Sequence, residues 1–167
     1  MKYLISQSRK KHVSGHFGAT ESAGSRFRFD LFPTVESVIE FLLDRQPINI
    51  IIQNNNTEAH EFLIDEQSSI GWLGLGLISD YKSELIQTEI RNGCETKFIE
   101  VGSLPTTNFI TVICSAMEDI YFPIITVFPG RYAPAMPNDR MSIHDFESAA
   151  AFWDLHILLK TKNPVQT

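Results

Sequence analysis

Two stretches of the chain repeat apolar residues at the spacing of an amphipathic helix. In the first, Thr34 occupies the N-cap position and a helical apolar face follows it, formed by Val35, Val38, Ile39, Leu42 and Leu43. This helix should end near Gln46, because the residue before a proline disfavours helical backbone. The second predicted helix covers residues 142 to 159. Ser142 and Asp145 form its capping box, and its apolar face consists of Phe146, Ala149, Ala150, Trp153 and Ile157.

The region between these helices carries β-type patterns, most clearly in residues 109 to 132. Residues 109–116 and 120–128 are rich in β-branched and aromatic side chains, and the polar turn Met117-Glu118-Asp119 separates them. We therefore predict a hairpin, although Pro123 weakens its second strand. Pro129 and Gly130 end that strand, so Arg131 and Tyr132 should stand at its exit. This exit is a candidate site; in the alternative interpretation, Arg131 is a solvated loop charge and Tyr132 covers the core.

Shorter apolar runs predict further strands at residues 48–53, 60–65 and 96–101. Residues 81–91 fit either a helix or a strand. Gly71, Gly74 and Gly76 alternate with large apolar residues and lack the spacing of a phosphate-binding loop, so they indicate close backbone packing. The pattern as a whole predicts an α+β fold, in which a mainly antiparallel central sheet packs against a helix of the N-terminal half and a C-terminal helix.

Length and composition fit one domain over residues 1–167. The chain is 43% hydrophobic and 20% charged, which suffices for a substantial core. Residues 163–167 should fray, and whether the first eight residues form a strand or an arm is open. Cys94 and Cys114 are far apart, and no signal-type apolar segment opens the chain, so we expect a reduced cytoplasmic protein. No apolar run approaches the roughly 18 to 20 residues of a membrane span, so no membrane association is expected.

The net charge of −6 is unevenly distributed. Residues 1–28 form a basic segment with a net charge of +5, and the rest of the chain carries −11. Such a split argues against a general nucleic-acid coat and fits a locally contacted phosphate ligand. Ordinary solvated cations near a terminus are the alternative interpretation.

Two of the five histidines, His12 and His16, lie within the basic segment. Because histidine titrates near neutrality, such a pair suits proton transfer to and from a ribose 2′-hydroxyl and a leaving 5′-oxygen. Lys10, Lys11 and Arg26 are candidates to hold the phosphate between them. Two surface histidines without a role are the alternative, whereas a zinc site lacks a third ligand nearby. No function is assigned to the remaining histidines, His60, His144 and His156.

The order of these motifs resembles that of small bacterial ribonuclease toxins. The residues that carry the resemblance are His12-Val-Ser-Gly-His16, the amphipathic helix that follows, and the late strand that runs through Thr126 into Pro129-Gly130. That group shares a barnase, EndoU, RelE and colicin nuclease-like fold. The resemblance implies that His12 or His16 is the general base or acid and that Thr126 donates a hydrogen bond to the scissile phosphate. Arg26 and Arg131 have no firm counterpart and enter from charge and position alone.

The leading hypothesis is a metal-independent endoribonuclease, with no cofactor, that acts as the toxin of an intracellular toxin–antitoxin pair. His12 and His16 would share acid/base work, while Thr126 and the substrate-binding residues Lys10, Lys11, Arg26, Arg131 and Tyr132 hold the RNA. The main alternative is a non-enzymatic immunity or antitoxin-like protein whose acidic surface covers a basic partner. A small-ligand domain built around residues 72–77 is a third option. If His12 and His16 meet Arg131 in one cleft, the enzyme is favoured; if the acidic charge clusters on one face far from these two histidines, the binding partner is favoured.

Overall fold

The computed structural model describes residues 2–17, 25–53, 56–65, 67–91, 93–116 and 121–161. Within these ranges the chain forms three α-helices and twelve strands, which confirms the α+β prediction. The helices are α1 (Gln7–Val13), α2 (Val35–Leu42) and α3 (Ile143–Trp153). The strands are β1 (Lys2–Leu4), β2 (Arg26–Phe27), β3 (Asn49–Ile52), β4 (Thr57–Leu63), β5 (Gly71–Trp72), β6 (Leu75–Leu77), β7 (Gln87–Arg91), β8 (Cys94–Val101), β9 (Thr106–Thr107), β10 (Phe109–Ser115), β11 (Tyr121–Pro129) and β12 (His156–Thr161).

The largest sheet has five strands in the order β1-β11-β10-β4-β3. The predicted hairpin is confirmed, because β10 and β11 pair antiparallel, with Val112 opposite Val127. The turn predicted at residues 117–119 lies outside the described residues. β1 joins the far side of β11 in parallel orientation, so the open question about the first eight residues is resolved as a strand followed by the start of α1. All other pairings in this sheet are antiparallel.

One face of this sheet carries the main hydrophobic core. The residues of this core that are almost completely buried include Val13 of α1 and Val38 and Leu42 of α2, which pack with sheet residues such as Val112 and Val127. Burying a leucine-sized side chain stabilises a fold by about 1.5–3 kcal/mol, so this layer is the principal source of stability. The two short helices are thus held by their apolar faces rather than by their own propensity.

Helix α2 begins where its sequence predicts. The Thr34 hydroxyl accepts a hydrogen bond from the Ser37 backbone N–H, and the Ser37 hydroxyl in turn accepts one from the Thr34 N–H. The helix ends at Leu42, earlier than predicted. The Arg45 N–H donates to the Leu42 carbonyl, three residues earlier, so the chain forms a turn there instead of continuing the helix. No helix within the described ranges is both long and apolar enough to cross a membrane.

A second sheet, with the order β6-β12-β8-β7, corrects the prediction of one helix over residues 142–159. The helix ends at Trp153, and the chain turns into strand β12, which lies between β6 and β8. The apolar run Ile157, Leu158 and Leu159 is buried throughout, as expected of a central strand that is covered on both faces. Ile157 lies four residues after Trp153, which is the spacing of residues on one face of a helix. For this reason the sequence pattern predicts that the helix continues. Residues 81–91, which the sequence left open, end in strand β7.

The third sheet is a small ribbon with the order β2-β5-β9. It confirms close backbone packing at one predicted glycine, Gly71. A Cβ atom there would lie 2.4 Å from the backbone oxygen of Arg26 on the neighbouring strand. Only glycine permits this approach, which brings β2 against β5 and places the chain after β5 beside the end of β11.

Candidate functional site

The corner at the end of β11 is held in one conformation. Gly130 has φ +118°, a region that side chains disfavour, and a Cβ atom there would lie 2.7 Å from Leu73 Cδ2. The Gly130 N–H donates to the Phe109 carbonyl at 2.7 Å, and the Gly130 carbonyl accepts from the Thr111 hydroxyl at 2.7 Å. Arg131 therefore leaves the sheet from a fixed point, as the sequence predicts.

A buried carboxylate, Glu61 of β4, fixes the two residues beyond this corner. Its side chain is 4% exposed, and Oε1 accepts the Tyr132 backbone N–H at 2.7 Å. Its Oε2 lies 3.2 Å from the donating Asn49 amide and 3.6 Å from the Arg131 guanidinium. The Arg131 guanidinium also stands over the Phe109 ring, 4.9 Å from its centroid, while most of the side chain stays open to solvent. Glu61 thus orients a guanidinium that is still available to a ligand.

Arg131 and Tyr132 border a cleft of about 560 Å³. The cleft lies where the end of the five-stranded sheet meets the second sheet and the C-terminal end of α3. Its aromatic walls are formed by Phe109, Phe128, Phe152 and Trp153. Two histidines also line it, His16 and His156. Among the described residues, this cleft therefore combines titratable groups, a cation and flat apolar walls, which is the composition of a ligand site.

His16 lies in a single 3₁₀ turn, residues 14–16, directly after α1. Its Nδ1 is 2.8 Å from the Ser25 carbonyl, which can only accept, so Nδ1 carries the hydrogen and the neutral ring has its lone pair on Nε2. Burial lowers the pKa of His16 below its ordinary value, the hydrogen bond to Ser25 opposes this shift, and the charge of nearby His12 adds to it. His16 is therefore a neutral base at neutral pH.

His156 opens strand β12 and is held in the same tautomer. Its Nδ1 is 2.7 Å from the Phe152 carbonyl, and its ring stacks on the Phe152 ring with centroids 3.8 Å apart and planes 2° from parallel. The ring is thus fixed in orientation, with Nε2 left to accept or carry a proton. A helix end followed at once by a strand places His156 at the cleft.

The structure brings three of the eight predicted site residues to the cleft: His16, Arg131 and Tyr132. The other five are not among its lining residues. Lys10 forms an ion pair with Glu36 on α2, and Lys11 and His12 are exposed on the last turn of α1. Arg26 is buried on β2, and burial lowers the pKa of its guanidinium.

Thr126 lies on β11 opposite Ile113, two residues before the cleft residue Phe128. Side chains two apart on a strand point to the same face of the sheet, so Thr126 stands on the cleft side but one step outside the lining. Its role as a hydrogen-bond donor to phosphate stays a prediction.

Sequence reasoning missed two residues of this site, His156 and Glu61. The predicted helix over residues 142–159 places His156 near a helix C-terminus, and only the run of three aliphatic residues after it indicates a strand. Glu61 follows His60 in a strand-like segment. A carboxylate inside a buried strand requires partners, because an unpaired buried charge is costly. Glu61 in this segment was therefore the available signal of a polar site.

A second polar cluster lies on the opposite face of the same sheet. The Tyr3 hydroxyl is 2.6 Å from His60 Nδ1, and His60 Nε2 is 2.7 Å from Glu58 Oε2. The Cys114 thiol lies beside this ring, and burial raises the pKa of the thiol to about 12, so the thiolate needed for nucleophilic attack does not form. With His60 and Cys114 inaccessible to solvent, this network is part of the core. No group of three or more metal-ligating side chains occurs within the described ranges.

Comparison with known proteins gives a likeness in fold. No protein-family model matches the sequence, and no curated protein matches it significantly. Among solved structures, a conserved hypothetical protein from Toxoplasma gondii ME49 is similar, with a TM-score of 0.55 and 10% identity over 98% of this chain and 96% of that chain. At this identity the likeness concerns the fold alone. The chain therefore shares an overall α+β architecture with that protein along nearly its whole length.

Proposed function

We propose that the protein is a metal-independent endoribonuclease and that its active site is the cleft between the two sheets. The observation that carries this proposal is the pair of histidines, each with Nδ1–H on a backbone carbonyl, that line one cleft with a guanidinium. Two imidazoles that expose Nε2 can take one proton and supply another in a single displacement. The pair is His16 and His156, which replaces the pair within the basic segment.

The proposed reaction uses one ring as the base and the other, in its protonated form, as the acid. Neutral His16 accepts the proton of a ribose 2′-hydroxyl at Nε2, and the 2′-oxygen bonds to the adjacent phosphorus. The bond from phosphorus to the 5′-oxygen breaks, and that oxygen takes the proton that His156 carries on Nε2. The products are a 2′,3′-cyclic phosphate and a 5′-hydroxyl end. Arg131 offsets the charge that the phosphoryl oxygens gain in the transition state.

The walls of the cleft suit single-stranded RNA. Aromatic rings offer stacking surfaces that every nucleobase can use, at about 1–3 kcal/mol per base. Phe109 and Phe128 come from neighbouring strands of the large sheet, whereas Phe152 and Trp153 come from the end of α3. A duplex cannot place one base among such walls without opening, so we expect unpaired nucleotides to be the substrate. The toxin role rests on the sequence resemblance.

The test is cleavage of a defined single-stranded RNA in excess EDTA. His16→Ala and His156→Ala should each lower the rate about a hundredfold or more, and mass spectrometry of the wild-type products should find cyclic phosphate ends. His12→Ala distinguishes the pair of His16 and His156 from the pair of His12 and His16. It should leave the cleavage rate within a few-fold of the wild-type rate. His144→Ala, an exposed histidine on α3, is the matched control.

Two outcomes would contradict the proposal. Equal rates for the wild type and both cleft variants would show that His16 and His156 do not carry out the cleavage. Intact RNA with the wild type would favour the alternative, a non-enzymatic immunity or antitoxin-like protein that binds a basic partner through its acidic surface.

A further inference from the structure

The Ser25 side chain connects His16 to a distant part of the cleft wall. Ser25 lies directly before strand β2, and its carbonyl accepts the His16 Nδ1–H. Its hydroxyl oxygen accepts a second hydrogen bond, from the backbone N–H of Gly74 at 3.1 Å. Gly74 lies between strands β5 and β6, 49 residues later in the chain, and both Ser25 and Gly74 line the cleft. One residue therefore contacts the proposed base with its backbone and a separate segment with its side chain.

Gly74 is in turn bonded to the strand that carries His156. Its carbonyl accepts the N–H of Leu159 at 2.9 Å. Leu159 is a fully buried residue of β12, three positions after His156. Directly after Gly74, β6 begins and pairs with the same strand. Gly74 thus contacts Ser25 through its N–H and β12 through its carbonyl.

A continuous series of hydrogen bonds therefore joins the His16 ring to the strand of His156. It runs from the ring to the Ser25 carbonyl, from the Ser25 hydroxyl to Gly74, and from Gly74 to β12. The carbonyl of Ser25 and both peptide groups of Gly74 are backbone groups, which almost any residue would supply. The Ser25 hydroxyl is the link in this series that depends on the identity of an intervening side chain.

The backbone pairing beside Ser25 is short. β2 and β5 pair over two residues each, and the pair nearest Ser25 is Arg26 with Trp72. Strands of two residues provide few hydrogen bonds, so a side-chain bond at their end adds a large share of the constraint. Because Gly74 is buried, water does not replace the hydroxyl as the acceptor of its N–H without cost. The Ser25 hydroxyl thus continues the contact one step beyond the ladder, on the side where His16 lies.

We propose that Ser25 is a positioning residue whose hydroxyl holds the general base His16 at the working distance from β12 and its general acid, His156; this inference rests on the proposed ribonuclease function. The two rings must reach the attacking and the leaving oxygen of one phosphorus, each at about 2.6–3.2 Å. A displacement of about 1 Å in such an arrangement can lower the rate about a hundredfold. The hydroxyl acts through His16, and the reaction itself needs no contact between it and the RNA.

The test is the cleavage of single-stranded RNA in excess EDTA by Ser25→Ala. This variant keeps the carbonyl that holds His16 and removes the acceptor of the Gly74 N–H. We expect kcat to fall about tenfold or more and KM to stay within about twofold, because the groups that contact RNA remain while the proton-transfer geometry changes. Ser25→Thr keeps the hydroxyl and should restore kcat. Ser69→Ala, which removes a half-buried serine hydroxyl two residues before β5 and outside the cleft lining, should match the wild type.

A double-mutant cycle separates positioning from a general effect on the fold. If the hydroxyl acts through His16, Ser25→Ala should cause no further loss of rate once His16 is alanine. A purely structural defect would instead lower the rate of His16→Ala by the same factor as the wild-type rate. Rates are compared per folded molecule, with the folded fraction taken from urea unfolding curves. Should Ser25→Ala fail to fold, Ser25→Cys, which keeps a weak acceptor of similar shape, takes its place in the cycle.

Amide hydrogen exchange tests the hydrogen bond without reference to activity. The Gly74 N–H should exchange about tenfold or more faster in Ser25→Ala than in the wild type. The N–H of Val127, in the core of the large sheet, should accelerate less, because the change is local. Equal acceleration of both amides would indicate a loss of global stability and would overturn a local role of the hydroxyl.

The positioning role and the proposed function can fail separately. Full kcat in Ser25→Ala, together with the expected losses in His16→Ala and His156→Ala, would uphold the ribonuclease and overturn the positioning role. The same fractional loss from Ser25→Ala in the wild-type and His16→Ala backgrounds would also overturn it, since Ser25 would then serve the fold alone. A wild type that leaves RNA intact would overturn the ribonuclease and the positioning role together.

Discussion

The lowered pKa of His16 links a single residue to the stability of the whole fold. In the unfolded chain this histidine titrates near its ordinary value of 6.5, whereas burial keeps it neutral to lower pH in the folded chain. Below pH 6.5 the unfolded state therefore binds more protons than the folded state. By linkage, stability falls as the pH drops through 6.5 and stops falling once the pH is below the folded pKa.

We predict that His16→Asn loses less stability on acidification than the wild type. Urea unfolding at about pH 7.5 and about pH 5 measures the free energy of unfolding of each protein. Asparagine keeps an N–H that can face the Ser25 carbonyl but cannot take up a proton, so the contribution of His16 disappears from the difference. His144→Asn should retain the wild-type difference. An identical acid response in wild type and His16→Asn would contradict the lowered pKa.

Glu61 should act through its oxygen atoms more than through its charge. Glu61→Ala leaves the Tyr132 N–H without its acceptor in a buried place, and we expect a loss of about 1–3 kcal/mol in the free energy of unfolding. Glu61→Gln keeps one oxygen for the Tyr132 N–H, and the Asn49 amide can turn its oxygen towards the new N–H, so this variant should stay within about 1 kcal/mol of the wild type. Denaturant unfolding of the two variants decides this point. Equal destabilisation would show instead that the ion pair with Arg131 holds the corner.

At the scale of elements, the sequence alone predicts those helices and strands whose signals all lie within one stretch of the chain. Helix α2 has both its cap and its apolar face within one stretch, and the β10–β11 hairpin joins neighbouring segments. Strand β12 cannot be predicted in this way, because its partners β6 and β8 lie far earlier in the chain. Periodicity alone cannot separate a short buried strand from the end of a helix, and tertiary pairing decides between them.

Strand β3 is an edge with an apolar surface. It is the last strand of the five-stranded sheet, and Ile48, Ile50 and Ile52 in and beside it are exposed, Ile52 by 81%. Residues 48–53 carry no charge. An apolar edge strand with unpaired backbone groups can pair with the same edge of another molecule.

We therefore expect the protein to associate at high concentration through β3. Ile52→Lys should suppress the concentration-dependent increase in mass measured by light scattering, because a charge on the edge opposes pairing. The change should leave the free energy of unfolding within about 0.5 kcal/mol, since the side chain is exposed. Ile143→Lys, at a similarly exposed isoleucine on α3, is the matched control, and suppression by both variants alike would assign the effect to net charge.

At the scale of the whole molecule, the sequence does not predict that these residues share one cleft. His16, Arg131 and Tyr132 were each recognisable from local chemistry, as a histidine in a basic segment and as polar residues behind a Pro-Gly corner. Their common cleft depends on how the ends of two sheets meet, and His156 enters it only because β12 completes the second sheet. Sequence patterns describe faces of elements, whereas a site between sheets is a property of tertiary packing.

The position of β12 also determines when the cleft can exist during synthesis. His16 is near the start of the described chain and His156 is near its end, so the pair requires a contact of very long sequence separation, which forms late in folding. Until β12 has left the ribosome and paired with β6 and β8, the nascent chain has one cleft histidine without the other. If the protein cleaves RNA, no active site of a nascent chain is complete before β12 has been translated and has paired.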